Sequence, residues 1–493
     1  MTIQFKALYK AYCDCRKRKR KTSNAQRYEM RLLDNLFETQ ASLSLRHYEP
    51  ARCIRFVAAK PKAREIHAAD FADRVVHHWL VPQLEKRFEP VFIHDVYSNR
   101  VGKGTHKAVD RLQSFMHSVG NEGWYLQLDI ANFFNSIDRP ILFKLLQARL
   151  RKSVKMYAKF PTDKRAISPE EADTLRWLCH VLLRFDFSHN AIYRGDVKLL
   201  HRVPTHKQLG NIGEHKGLPI GNLTSQFFAN VYLNPLDQFV KHTLKCKHYV
   251  RYVDDFILLA PNKEILLIWR ENIVQFLKDT LALSLKERVN PKQVNTGADF
   301  LGYIIYPHYR LVRRRVVGNC WEKLQQFQSE LISGSSQKGY CITLKQGVIE
   351  QLRSTLASYH GHFNHANSYR LQQRIWQSFP WLTLLFEYSL KPRYEPQRVE
   401  VSRYYSQINY FQRQYPFAKL CIQRGRKVDV FENTPWVFQL TKENQPLQKA
   451  IRRVNVCQVG YMKNGLKRRR VQQLFIHSGV EICPVSPNHS HYV

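Results

Sequence analysis

An α+β fold in several units is what this sequence predicts, and three observations predict it. The chain has 493 residues, which at roughly 100–200 residues per domain implies about three units. Hydrophobic residues make up 44% of it, enough to fill several cores and too many for a disordered chain. A period-two stretch near 125–130 and strand-like segments on both sides of 254–255 alternate with stretches of helical period.

Residues 1–50 are basic and helix-like. Their charge run Arg16 to Lys21 reads either as a phosphate-contacting arm or as a solvated helix face. Residues 51–110 mix short strands with helix. Tyr125 to Ile130 alternates as a strand: Leu126, Leu128 and Ile130 share one face, and Tyr125, Gln127 and Asp129 the other. A helix follows from about Asp138, with Pro140 in its first turn and Ile141, Leu145, Leu146 and Leu150 as its apolar stripe. Residues 151–215 are polar and read as an insertion, helical near Ala172 to Leu183 and loop-like around Pro204 to Gly213. Gly217 to Gly221 reads as a turn before a helix over about Leu223 to Pro235. Two short strands flank Asp254 and Asp255. A further helix spans about Glu264 to Leu283, with Leu266, Trp269, Ile273, Phe276 and Leu277 on its apolar side. Beyond Cys320 the chain turns helical and aromatic, and after about Pro396 it changes to short strands and helices. The expected division is a basic helical extension at 1–50, a central part at 51–319 carrying the insertion 151–215, a helical unit at 320–396 and a small α/β module at 397–493.

Lys and Arg number 77 against 40 acidic residues, a formal net charge of +37. Nucleic acid is the partner that such a surface calls for. A membrane surface would need a basic amphipathic helix or a lipidation signal. Neither is found, nor a long uncharged apolar run or a signal-peptide core, so the reading is a cytoplasmic protein with no membrane partner. The 10 cysteines are scattered without a Cys-x-x-Cys pair, which argues against zinc and against a disulfide scaffold.

The chemistry lies in three acids. Tyr252-Val253-Asp254-Asp255-Phe256 puts two carboxylates at the tight end of a hairpin between apolar strands. The plain reading is turn capping, but two adjacent carboxylates repel and call for a cation. Asp129 ends a buried strand on the face away from its leucines. It would ordinarily cap the next helix, a job for which Asp138 competes. Three acids aimed at one point are what phosphoryl transfer with two Mg²⁺ ions needs.

Leu128-Asp129-Ile130 with Phe133-Phe134, then Gly217 to Gln226 (Gly-Leu-Pro-Ile-Gly-Asn-Leu-Thr-Ser-Gln), then Tyr252-Val253-Asp254-Asp255, then Phe300-Leu301-Gly302 resemble reverse transcriptases in order and spacing over about residues 50–320. Pro61-Lys62-Ala63-Arg64 and Asp73 to His78 fit the fingers of that group. The resemblance is nearest to bacterial retron-type enzymes of diversity-generating retroelements and of phage defence. It implies a right-hand polymerase of fingers, palm and thumb, with the thumb at 320–396. It implies metals (two Mg²⁺, or Mn²⁺ in their place) on Asp129, Ile130, Asp254 and Asp255, and a nucleotide site of Lys62, Arg64, Phe134, Ile220 and Gln226. Phe134 would exclude a 2′-hydroxyl, and Phe300, Leu301 and Gly302 would grip the primer. A lysine donating a proton to pyrophosphate is implied near Lys286 or Arg288, with both left open. Where most relatives carry Gln-Gly and Ser-Pro, this chain has Ile220-Gly221 and Ser225-Gln226, which implies relaxed nucleotide selection.

The histidines of Tyr359 to His365 lack acidic or thiol company and read as backbone contacts or local packing rather than a metal site. Tyr404 to Pro416 and the segments after it faintly resemble a mismatch-binding domain. Lys467 to Arg470 would suit phosphate contact in an accessory nucleic-acid-binding module. The function implied is copying of a dedicated structured noncoding RNA into DNA, with dNTPs and an RNA/DNA heteroduplex as partners, in phage defence. Diversification, a catalytically silent RNA-binding scaffold and RNA synthesis are the alternatives. A protein partner encoded nearby and an oligomer both stay open.

Overall fold

The structure, a computed structural model, describes residues 3–390 apart from 18, 21, 60, 61, 288, 336–338, 344 and 345, together with four strands beyond residue 418. It divides into two compact units, Met1–Leu301 with Ile305–His308, and Gly302–Ile304 with Tyr309–Val493. The fold is α+β.

The first unit opens with helices α1 (Phe5–Cys15), α2 (Ser23–Met30) and α3 (Leu32–Ser44), then strands β1 (Cys53–Ala58) and β2 (Arg64–Ala68). Helix α4 (Phe71–Phe88) starts where the Asp70 carboxylate accepts the Ala72 N–H at 3.0 Å, satisfying one of the orphan donors of its first turn. There follow α5 (Thr105–Val119), β3 (Trp124–Asp129), the single turn α6 (Phe133–Ser136), α7 (Arg139–Lys159), α8 (Pro169–Arg184) and β4 (Ala191–Tyr193). Then come α9 (Leu223–Gln238), β5 (His248–Tyr252), β6 (Asp255–Ala260), α10 (Lys263–Leu281), β7 (Lys292–Gln293) and β8 (Ala298–Phe300).

Strands β5-β6-β3-β7 form a four-stranded antiparallel sheet. Leu126, Leu128, Phe256 and Leu258 are buried in its core. Helices α5 and α10 pack against it. A second sheet, β2-β1-β4, pairs β1 antiparallel with β2 and parallel with β4. Through β4 the polar segment after α8 is stitched to the hairpin whose loop holds Lys62 and whose second strand begins at Arg64.

Two expectations about helices are refined. Asp138, not Asp129, is the cap: its carboxylate accepts the Ile141 N–H at 2.9 Å, with Pro140 in the first turn of α7. The buried stripe of α7 is Leu142, Leu146 and Leu150, while Ile141 and Leu145 are only partly buried. Ile141 with Leu145 and Leu142 with Leu146 and Leu150 are both rows of i, i+4 spacing, and packing turns the second of them to the core.

In the second unit, β9 (Tyr303–Ile305) and β10 (Arg310–Val312) precede α11 (Arg314–Leu331), β11 (Ile332–Ser335), β12 (Gly339–Thr343), α12 (Gln346–Phe363), α13 (Tyr369–Ser378) and α14 (Leu382–Leu385). Cys320, Leu324, Leu352, Trp376 and Leu382 share a separate core. Strands β13 (Lys419–Arg424), β14 (Lys427–Phe431), β15 (Val456–Gln458) and β16 (Gln473–Ile476) complete a six-stranded sheet of order β11-β12-β16-β15-β13-β14. The segments Tyr404 to Pro416 and Lys467 to Arg470 lie outside the described residues. Among the described residues no helix is long and apolar enough to cross a membrane. Cys15, Cys53, Cys179, Cys246 and Cys320 are buried free thiols, and Cys13 is a partly buried one.

Candidate active site

The ladder between β3 and β6 pairs Leu128 with Phe256 and Asp129 with Asp255. The β5–β6 hairpin pairs Tyr252 with Asp255, leaving Val253 and Asp254 as the turn itself. The three acids, far apart in the chain, thus meet at one end of one sheet. Val253 sits at φ 58°, a left-handed conformation that costs a β-branched residue about 1–3 kcal/mol.

Burial pushes the Asp254 carboxyl up to about 6. Asp129's charge adds to the rise, while Arg64 and Arg251 pull it back. Burial also pushes Asp255 up to about 7, opposed by a hydrogen bond from Gln127 and reinforced by Asp129, Asp254 and Asp299. Arg64, at the start of β2, therefore lies within electrostatic reach of Asp254. Lys62 is exposed in the loop before it.

Backbone pairing continues past Asp129. The Ala131 N–H donates to the Ser284 carbonyl at 2.9 Å, and Ile130 bridges Leu285. The Lys286 N–H donates to the Asp129 carbonyl at 2.9 Å, and its ammonium stands 3.8 Å from the Asp129 carboxylate. Of the two basic residues left open by the sequence, Lys286 is the one seen at the site; Arg288 lies outside the described residues. Ile130 is buried, so its side chain packs in the core.

Gln127 is a residue the sequence reading did not assign. Its Nε2 donates to both Asp255 oxygens, at 3.0 and 3.2 Å, and to the Asp299 carbonyl at 3.1 Å. The signal was present: period two places it on the Asp129 face. Tyr125, Gln127, Asp129, Asp255, Lys286 and Lys292 are among the residues around a cavity of about 280 Å³.

The turn Gly217 to Asn222 is docked at both ends. The Leu218 N–H donates to the Phe134 carbonyl at 2.8 Å, and the His67 N–H to the Ile220 carbonyl at 3.0 Å. The Asn222 side chain accepts the Ala69 N–H at 3.0 Å. Gly221, at φ 118°, lies so close to β2 that a Cβ would stand 2.8 Å from the Ile66 side chain, so any other residue would be strained and would have to displace Ile66. Phe134 is partly buried and meets the Phe133 ring edge-on, centroids 5.4 Å apart. Ile220 is partly buried and Gln226 exposed. Thus β2, Phe134 and the turn are held to one another in the unit that also carries the acids.

Of the proposed primer-gripping residues, Phe300 is buried, Leu301 is left-handed at φ 51°, and Gly302 has φ 94°. In the second unit the His362 ring stacks on Tyr303 at 4.2 Å between centroids.

Among the described residues no three His, Cys, Asp or Glu side chains are drawn together closely enough to hold a metal ion as they stand. Asp129 is turned to Lys286 and Asp255 to Gln127, which separates carboxylates that would otherwise repel. The donor set nonetheless suits a hard divalent ion: oxygen ligands only, with two carboxyls that burial leaves reluctant to ionise unaided.

The family described as reverse transcriptase (RNA-dependent DNA polymerase) matches residues 58–305. Protein YkfC of Escherichia coli (strain K12) is 22% identical over 310 residues, covering 55% of this chain and 69% of YkfC. Group II intron-encoded protein LtrA of Lactococcus lactis subsp. cremoris is 25% identical over 196 residues, covering 39% of this chain but only 26% of LtrA. Among solved structures, telomerase from Candida albicans with a TWJ fragment of telomeric RNA overlays at a TM-score of 0.37 and 12% identity, over 69% of this chain and 61% of that one.

Proposed function

The chain belongs to the reverse transcriptase (RNA-dependent DNA polymerase) family, and from that premise we propose that it copies an RNA template into DNA from deoxynucleoside triphosphates. The observation that carries this reading is the pairing of Asp129 with Asp255 beside the turn that holds Asp254. In this reading the family's right-hand division applies, with fingers and palm at 51–319 and a thumb at 320–396.

Asp129, Asp254, Asp255 and the Ile130 carbonyl would hold two divalent ions, Mg²⁺ or Mn²⁺. When bound, such ions supply charge neutralisation at the attacking hydroxyl and at the leaving pyrophosphate. Arg64 and Lys62 bind the triphosphate, Arg64 as a planar fork suited to phosphate oxygens. Phe134 lies under the sugar. Lys286 carries the proton that the leaving pyrophosphate takes up. Gln127 holds Asp255 in one orientation. Gln127→Leu, nearly isosteric, should lower the turnover rate about 10–100-fold, the usual cost of losing a residue that orients a metal ligand. Single-turnover kinetics beside a melting curve would check it; unchanged kinetics would reduce Gln127 to a packing residue.

Proton and metal compete for the same carboxylates. Asp254 and Asp255 are raised to about 6 and 7, so the half-saturating Mg²⁺ concentration should fall as pH rises from 6 to 8 and then level off. The folded site keeps protons that the unfolded chain has already released between about pH 4 and 7. This pair's share of stability therefore declines as pH rises across that window. Mg²⁺ titrations of primer extension at pH 6, 7, 8 and 9 measure the first effect; a flat dependence contradicts it.

The template read here is a dedicated structured noncoding RNA, because a charge of +37 exceeds what one active site needs. The setting read is phage defence. Ile220-Gly221 and Ser225-Gln226 favour diversification as the second reading. Primer extension by the purified protein tests the chemistry, with Asp254→Ala and Asp255→Ala as controls. Sequencing the RNA that copurifies tests the template. Extension no better than the controls would leave a silent RNA-binding scaffold.

A further inference from the structure

The left-handed turn residue Val253 is clamped from behind by a buried polar assembly whose members come from three separate stretches of chain. The Val253 N–H donates to the Ser98 hydroxyl oxygen at 2.9 Å. The Val253 carbonyl accepts from Arg251 Nη1, also at 2.9 Å. These two bonds fix the peptide planes on either side of the Val253 Cα, and two fixed planes determine both φ and ψ of the residue between them.

The clamp is itself immobilised. Arg251 is fully buried, and its Nε and Nη2 reach the two oxygens of Asp237 at 2.7 and 2.6 Å. Tyr249 donates to the same carboxylate at 2.8 Å. The Asn230 carbonyl oxygen accepts from Arg251 Nη1 and from the Ser98 hydroxyl, each at 3.3 Å. The Asn230 amide donates back to the Ser98 carbonyl at 2.8 Å. Donors and acceptors match along the whole chain: Val253 N–H to the Ser98 hydroxyl, the hydroxyl to Asn230, and Arg251 to Asn230, to Asp237 and to the Val253 carbonyl. Ser98 and Asn230 are each 1% exposed, and Asp237 and Arg251 are 0% exposed, so water cannot substitute for any partner. The adjoining backbone is also held, with the Arg251 N–H on the Asp95 carbonyl and the Tyr97 N–H on the Arg251 carbonyl, both at 3.0 Å.

The Ser98, Asn230, Asp237, Tyr249 and Arg251 side chains are all buried. A fully buried ion pair is weak evidence for added stability. A valine left to itself would abandon the left-handed region. We propose that Ser98 and Arg251 are positioning residues that hold Val253 in its left-handed conformation and so aim the Asp254 carboxylate at the metal site.

The inference rests on the polymerase reading only for its activity measurement, because metal binding can be followed on its own. Ser98→Ala removes the acceptor for the Val253 N–H and adds no bulk. Mn²⁺ titration followed by electron paramagnetic resonance should show affinity reduced about 10–100-fold, the range for residues that orient a metal ligand. The turnover rate should fall in parallel, with primer–template affinity unchanged. The decisive variant is Ser98→Ala with Val253→Gly. Glycine occupies the left-handed region without strain, so the second substitution should recover most of the metal affinity that the first one loses. A purely structural role for Ser98 predicts the opposite, since removing the partly buried Val253 side chain would compound the damage. Should Ser98→Ala fail to fold, Arg251→Lys, which keeps a charge beside Asp237 but loses the fork that reaches the Val253 carbonyl, is read in the same way. Wild-type Mn²⁺ affinity in the single variant, or no recovery in the double variant, overturns the inference. If the wild-type protein extends no primer, the polymerase reading fails and the Mn²⁺ titrations still decide this one.

Discussion

Asp254→Asn should reduce primer extension by a factor on the order of 10³ or more, with template binding intact. Removing one charge-bearing group from a catalytic set that acts as a unit forfeits most of its effect at once, and Asp129→Asn should match it. The substitution leaves side-chain volume nearly unchanged and spares the β3–β6 ladder. Its effect on stability should have the reverse sign. Asp254 is held near 6 by burial and by the neighbouring Asp129 charge, so replacing it with a neutral amide relieves repulsion, and the melting temperature measured without added metal should hold or rise at pH 8. That pairing of lost turnover with kept or increased stability is the mark of a group retained for chemistry. Single-turnover extension and calorimetry on the same preparations measure both. Retention of more than a tenth of the rate would remove Asp254 from the reaction.

Phe134→Ala should change which nucleotide is accepted. The ring is partly buried against Phe133, and its residue's carbonyl takes the Leu218 N–H, so truncation spares the backbone and opens space on the floor of the proposed nucleotide site. A steric contact of this kind is worth about 10²-fold in selection. The ratio of kcat/KM for deoxynucleotides to that for ribonucleotides should drop by about that factor, chiefly through improved ribonucleotide use. Had the ring only a packing role, both substrates would suffer alike and the ratio would hold.

Much of this site was legible in the sequence, because period-two alternation put Asp129 on the face away from Leu126 and Leu128, and a tight hairpin put Asp254 and Asp255 at its tip. Asp138 could be weighed as a cap because Pro140 follows it. The apolar stripe of α7 was less legible: Ile141, Leu142, Leu145 and Leu146 are all apolar, and only packing selects Leu142 and Leu146. Gln127 was in view but carried no chemical signal of its own. The support behind Val253 could not be read at all. An arginine in an alternating strand looks solvent-facing, and Arg251 is buried only because Asp237, on α9, arrives from another element. Ser98 and Asn230 are ordinary polar residues until the fold joins them. The place of Lys286 beside Asp129 follows only from the backbone pairing of 284–286 with 129–131.

The coincidence of Asp129 with Asp255 belongs to a whole row of paired residues from Trp124 with Ala260 to Asp129 with Asp255. Side chains alternate between the faces, so gaining or losing a single residue within either strand would send one acid to the opposite side of the sheet. The polar segment between β4 and Lys216 lies outside any such ladder, and extending a surface loop there costs only the slowly growing entropy of closure. Descendants of this chain can therefore drift in size there while six positions of each strand stay countable to the residue, and it is that unequal freedom, more than any single side chain, that confines where the gene can grow or shrink.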